Sequence, residues 1–280
     1  VKRNTNKMTI NCNSRLIDLT IPKVMGIVNV TPNSFYDGGK HNEINSIIRQ
    51  VEKMISEGAD IIDIGAYSSK PSAEFVSEQD EINRLKVVIK ELINTFPSVV
   101  LSVDTFRASV AKFAVDQGVA MVNDISAGLL DDAMLPTVAE LKVPYIMMHM
   151  RGTPQTMQSL TQYDDVVKEM LFYFSERIQK ARSFGISDVI IDPGFGFAKT
   201  VEQNYEVLQK LELFSILELP LLVGISRKSM IYKVLETTPQ EALNGTTVIN
   251  TIALQKGAKI LRVHDVKEAV ECVKLVSQLQ

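Results

Sequence analysis

The residues best suited to chemistry lie in a run from Asp188 to Lys199, D-V-I-I-D-P-G-F-G-F-A-K. A short apolar stretch, Val189-Ile190-Ile191, stops at the carboxylate of Asp192. Pro193 and two glycines, Gly194 and Gly196, follow, interleaved with Phe195 and Phe197. The apolar stretch has the length of a buried strand. Proline lacks the N–H that a sheet ladder needs and glycine tolerates positive φ, so the Pro-Gly pair ends it. Asp192 therefore stands where a strand leaves a core, with a glycine turn and two aromatic rings beyond it. Such a place suits a flat ligand with a polar edge. It equally suits an Asp that caps a turn, and this segment alone leaves both readings open.

Other polar groups end apolar runs in the same way: Asn29, Asp104, Asn123 with Asp124, His149 within Met147-Met148-His149-Met150, Ser226-Arg227-Lys228-Ser229, and Arg262 with His264. Asp104, Asn123 and Asp192 form one constellation. Two carboxylates in a mostly apolar mouth call for donors, and an amino-pyrimidine edge supplies two N–H groups side by side. Lys228 would cover a carbonyl or ring nitrogen of the same ligand. Arg262 and His264 are two apart on one strand and point the same way. With Asn29 one strand over they make an anion site. Each residue alone has a plainer reading: Asp104 as a helix cap, His149 as a hydrogen-bonded core histidine, Arg262 as a salt-bridge arm, Lys228 as a Schiff-base lysine or a solvated loop residue.

The elements that must position them repeat one unit: apolar strand, loop, amphipathic helix. Strands are expected at Val24–Val30, Ile61–Ala66, Val99–Asp104, Ala120–Ile125, Pro144–Met150, Val189–Asp192, Leu221–Ser226 and Lys259–His264. Helices are expected between them at Glu43–Glu57, Ser77–Thr95, Ala108–Gln117, Asp131–Lys142, Tyr163–Phe184, Val201–Leu217, Ser229–Leu235 and Gln240–Lys256, with Val266–Leu279 after the last strand. Ser77 and Asp80 form a capping box before the second helix. Such alternation implies parallel strands with right-handed crossovers. Eight units in about 250 residues is the size of an α/β (β/α)8 TIM barrel, whose active site lies at the C-terminal strand ends. No G-x-G-x-x-G follows the first strand to support the rival, an open doubly wound sheet. Residues 8–20 alternate apolar and polar about Asn13-Ser14 and read as a β-hairpin that plugs the barrel bottom. One domain is expected over residues 1–280. The loops after the first two strands, Thr31–Gly39 and Tyr67–Ala73, read as lids.

Of 280 residues, 45% are hydrophobic and 22% charged, enough for a large core. Formal charge is −3 with signs interspersed, and no basic stripe is present to engage duplex nucleic acid. Cys12 and Cys272 are too few and too far apart for a disulfide framework or a zinc site, and they fit a reducing cytoplasm. No secretory signal and no apolar run near the ~18 residues of a membrane span appear.

The motifs N-V-T-P-N-S-F-Y-D-G-G (29–39), S-V-D-T-F-R (102–107), N-D-I (123–125), M-H-M (148–150), D-P-G-F-G-F-A-K (192–199), G-I-S-R-K-S (224–229) and R-V-H-D (262–265) resemble the dihydropteroate synthases of folate biosynthesis. The resemblance runs in order from about Met25 to the end of the chain. It implies condensation of 6-hydroxymethyl-7,8-dihydropterin diphosphate with p-aminobenzoate in a homodimer. By motif, Asp104, Asn123, Asp192 and Lys228 would bind the pterin, with Ile125, Met148 and Phe197 near its faces. Asn29 would offer an oxygen to Mg²⁺, and Arg262 and His264, with Asn29, would take the diphosphate. Ser69, Lys70, Pro71, Phe197 and Ser229 would form the p-aminobenzoate pocket. Asp104, Asp192, Lys228, Arg262 and His264 would carry catalysis. Two departures stand out. The family's S-T-R-P-G is here Ser68-Ser69-Lys70-Pro71-Ser72, which keeps a charge but loses a bidentate fork. Asn33 stands where Asp is usual, while Asp37 remains. Both bear on p-aminobenzoate affinity and sulfonamide response. The alternatives are a pterin-binding paralogue without activity, a corrinoid-linked pterin methyltransferase, for which Asn29, Arg262 and His264 have no evident job, and, from position alone, an aldolase using Lys228.

Overall fold

The computed structural model describes residues 8–30, 40–67 and 75–279. It opens on an antiparallel hairpin, β1 (Thr9–Cys12) and β2 (Arg15–Asp18), turned at Asn13 and Ser14, both with positive φ. Eight parallel strands follow: β3 (Lys23–Asn29), β4 (Ile61–Gly65), β5 (Val100–Asp104), β6 (Met121–Asp124), β7 (Tyr145–Met148), β8 (Val189–Asp192), β9 (Leu222–Val223) and β10 (Ile260–Val263). Neighbours pair in chain order from β3 to β8, and β10 lies between β3 and β9. A parallel bridge from Ile191 to Leu221 joins β8 to the approach of β9 and closes the ring. The result is the (β/α)8 barrel that the alternation implied.

The outer layer holds α1 (Lys40–Ser56), α2 (Glu78–Thr95), α3 (Ala108–Asp116), α4 (Met134–Leu141), α5 (Val166–Phe184), α6 (Val201–Gln209), α7 (Ser229–Tyr232), α8 (Leu243–Gln255) and α9 (Val266–Val276). Ser77 caps α2, its Oγ accepting from the Asp80 N–H at 3.1 Å and donating to the Asp80 carboxylate at 2.6 Å. One expected helix is corrected. The stretch Val201–Leu217 is not continuous; α6 stops before Lys210, and Leu211–Leu217 forms a 3₁₀ turn. The reason is spacing: the buried residues of that tail, Leu211 and Phe214, are three apart, a period that the tighter helix stacks on one side.

Strand alternation sorts the barrel interior into levels. Met25, Ile61, Val100, Met121, Ile146, Ile190, Leu222 and Ile260, one from each strand, form a buried apolar floor. Ile10, Cys12, Ile17 and Leu19 of the hairpin region pack against that floor and seal it, as expected for a bottom plug. Two residues further along each strand, on the same face, the character changes. Those positions are Asp63, Ser102, Asn123, Met148, Asp192, Gly224 and Arg262, with Ile27 on β3. A dry floor thus carries a polar level open toward the C-terminal strand ends.

Candidate active site

Arg262 is the centre of the polar level. Its Nε donates to Asp63 at 2.6 Å and one terminal nitrogen donates to Asp104 at 2.6 Å. Burial opposes the charge on Arg262, but Asp63 and Asp104 outweigh it and raise its pKa. Burial raises Asp104 to about 7, with Arg262 pulling the other way. The sequence grouping separated Asp104, as a ligand carboxylate, from Arg262, as an anion site; in the folded protein they are one ion pair. Asp63 is the residue that sequence reasoning missed. It is fully buried, and its Oδ2 also accepts from the Asn123 amide nitrogen at 2.9 Å. It lies inside β4, followed by Ile64 and Gly65, and so does not look like a strand end. Its place two residues after floor residue Ile61 was the available signal.

Asp192 ends β8 with 6% exposure, and its Oδ1 accepts from the Gly194 N–H at 2.7 Å. Burial raises its pKa against the attraction of Lys228. Lys228 in turn is lowered by burial to about 8, with Asp192 opposing. Its Nζ donates to the Phe195 carbonyl at 2.5 Å and lies 4.9 Å from the centre of the Phe197 ring. The turn that presents Lys228 is tied down by its neighbour. Arg227, at φ +56°, grips Asp265 with two nitrogens at 2.8 and 2.7 Å and so ties the loop after β9 to the loop after β10. His264 Nδ1 lies 3.0 Å from Ser226 Oγ, which also accepts from the His264 N–H at 3.2 Å. Burial and Arg262 lower the His264 pKa.

Asn29, Asp104, Phe197, Lys228, Ser229, Arg262 and His264 border one cavity of about 510 Å³. Asp192 and Asn123 do not line this cavity, though they share the polar level with Gly224 and Arg262, which do. Ile125, Met148 and Phe197 pack together in an apolar cluster that Met157, from the segment after β7, also enters. Ser69, Lys70 and Pro71, with Asn33 and Asp37, fall outside the described residues. His149 is a core histidine, 2% exposed, as its plainer reading had it. Asp124, beside Asn123, faces away from the barrel interior, accepting from Tyr145 Oη at 2.6 Å and from the N–H groups of Ser126 and Gly128.

A site of buried carboxylates, a clamped guanidinium and a lowered lysine can hold the donor edge of a planar heterocycle beside an anion. Comparison with known proteins narrows the heterocycle: the pterin binding enzyme family matches residues 25–264. The chain belongs to this family of pterin binding enzymes. Within the family it is 43% identical to the dihydropteroate synthase of Escherichia coli (strain K12), over 93% of this chain and 92% of that protein. Its fold is similar to a Yersinia pestis dihydropteroate synthase in complex with a sulfonamide drug, with a TM-score of 0.90, 40% identity, and 97% and 98% of the two chains covered. It is equally similar to a Xanthomonas albilineans dihydropteroate synthase holding 4-aminobenzoic acid, with a TM-score of 0.90, 38% identity and 98% of each chain covered.

Proposed function

We propose that this member of the pterin binding family condenses 6-hydroxymethyl-7,8-dihydropterin diphosphate with p-aminobenzoate, giving 7,8-dihydropteroate and diphosphate. The observation that carries the reading is the cavity itself. Residues from β3, β5, β10 and the loops after β8 and β9, scattered over more than two hundred positions, meet at one rim. Asn123, with its amide nitrogen committed to Asp63, keeps its oxygen as an acceptor, and the Asp192 carboxylate accepts beside it. These are the partners of a pterin's amino and ring N–H groups, and Lys228 is the donor for its carbonyl or ring nitrogen.

Chemically, the amine of p-aminobenzoate is neutral at pH 7 and needs no base. The harder event is breaking the CH₂–O bond, whose electron pair leaves with diphosphate. The electron-rich dihydropterin stabilises the cation left behind, and Asp104 and Asp192 stabilise it further by charge. Arg262 and the His264 ring meet the negative charge growing on the leaving oxygen. The amine nitrogen then closes the C–N bond and releases a proton. The displacement is SN1-like, without a covalent enzyme intermediate.

Mg²⁺ is part of the proposal. Among the described residues no group of three His, Cys, Asp or Glu could hold a metal, but Asn29 is exposed and lines the cavity, with an amide oxygen to offer. One protein oxygen suits an ion that keeps its waters and arrives bound to phosphate oxygens. Such an ion would neutralise leaving-group charge.

The p-aminobenzoate site is assigned to Phe197 and Ser229 with Ser69, Lys70 and Pro71, and sulfonamides are expected to compete there. A homodimer is proposed as well. Ile216, Val234, Leu235 and Val248, on or beside α6, α7 and α8, are large apolar side chains more than half exposed. A reducing compartment fits two buried, unpaired thiols, and no helix among the described residues is long and apolar enough to cross a membrane. The deciding experiment is a diphosphate-release assay with both substrates and Mg²⁺, each omitted in turn. With both substrates present, diphosphate release without an equal amount of dihydropteroate refutes the proposal.

A further inference from the structure

Lys199 closes the glycine turn after β8 and has no part in the chemistry above. It is 6% exposed. Lysine is almost never so buried without a charged partner. Yet among the described residues its Nζ meets three neutral acceptors: His149 Nδ1 at 3.0 Å and the carbonyls of Gly194 and Phe197 at 3.1 Å each. With the His149 ring proton on Nε2, the three contacts take the three N–H bonds of an ammonium group. Two of the acceptors bracket the turn and the third ends β7. That turn touches the site at each step. Gly194 donates to Asp192, the Phe195 carbonyl holds Lys228, and the Phe197 ring faces Lys228. It is also pressed hard on β7: Gly194 has φ +66°, and a Cβ there would fall 2.2 Å from the His149 carbonyl oxygen.

We propose that Lys199 is a positioning residue: its ammonium group staples the Gly194–Phe197 turn to His149 and thereby fixes where Lys228 and the Phe197 ring stand relative to Asp192. The staple is a property of the free protein; only its consequence for turnover rests on the function proposed above. Burial lowers Lys199 to about 7 against the pull of Asp192, while Lys228 and Arg151 disfavour its charge. Those are the charged groups facing it, from β8, the turn after β9 and the segment after β7. His149, held well below its usual pKa by burial and by Lys199, faces it as a neutral ring with Tyr173 of α5 edge-on at 4.9 Å. As pH rises through the Lys199 midpoint, one of the three acceptors loses its donor and the turn loosens.

The test is NMR on the unaltered protein with labelled lysine and backbone, titrated until the Lys199 side-chain signal has passed its midpoint. The amide signals of Gly194, Phe195 and Phe197 are expected to shift with that same midpoint. Amides that stay in place while Lys199 titrates overturn the proposal. In Lys199→Met, Lys228 is expected to titrate closer to an ordinary lysine, and its unchanged midpoint in a folded variant likewise overturns it. The KM for pterin diphosphate should rise about tenfold in the same variant, the weight of one lost charged hydrogen bond. A missing diphosphate release from the unaltered protein would refute the assigned reaction alone, and the chemical shifts would still decide the staple.

Discussion

Replacing Asp63 by alanine tests the polar level at its least visible point. The Asp63 carboxylate receives Arg262 Nε at 2.6 Å and the Asn123 amide at 2.9 Å, and none of its surface reaches solvent. Alanine leaves both donors without that partner. Arg262 keeps Asp104 at 2.6 Å, so its charge is not wholly uncompensated. Each buried donor left unpaired costs about 1–3 kcal/mol, and breaking one arm of a buried ion pair about 3–5 kcal/mol. Together these place Asp63→Ala at roughly 3–5 kcal/mol less stable. Asparagine keeps an oxygen to accept, loses the charge, and puts its NH2 where Oδ1 has no hydrogen-bond partner among the described residues. Since charge-assisted hydrogen bonds are about twice as strong as neutral ones, Asp63→Asn should cost about 1–2 kcal/mol. Urea unfolding gives both values, and calorimetry with a pterin gives the effect on binding. Affinity should fall more than about tenfold in Asp63→Ala, because the Asn123 amide is then free to rotate. Equal costs for the two variants, or a cost under about 1 kcal/mol for alanine, would refute the argument that Asp63 orients Arg262 and Asn123.

Further outcomes follow from the same geometry. Asp104 is raised to about 7, chiefly by burial, so the folded state holds its proton where the unfolded chain has lost it. Its stabilising contribution is full below its ordinary value near 3.8 and fades as pH rises through about 7, whereas pterin affinity should grow over the same window as the carboxylate forms. Thermal melts and pterin titrations at several pH values should therefore slope in opposite directions. Asp265→Ala unties Arg227 from the loop after β10; kcat should fall about tenfold or more with little change in circular dichroism, as expected when a reacting group loses its support. A chelator should abolish diphosphate release while leaving the affinity for a pterin lacking diphosphate unchanged, as calorimetry would report.

Much of this site was legible because the period of a strand is two and the barrel makes one face common to all strands. Asp104, Asn123, Asp192 and Arg262 all sit on the parity that Met121, Ile190 and Ile260 set below them. Asp63 obeys the same parity, but it is followed by Ile64 and Gly65, so it does not look like a strand end. The ion pair joining Arg262 to Asp104 spans 158 positions of sequence; no local pattern foretells it. Lys199 was visible as part of a motif, but its role depends on His149, fifty residues away. The break at Lys210 was hidden because residues three apart satisfy the helical and the 3₁₀ pattern alike.

The hairpin against the barrel floor carries a consequence for assembly. Ile10 and Leu19 come early in the chain, yet the surface that shelters them includes Ile260 of the final strand. Until β10 has slotted between β3 and β9, those early side chains have only part of their resting place. The hairpin is made before the barrel it seals, and a chain interrupted before β10 would lack part of that seat.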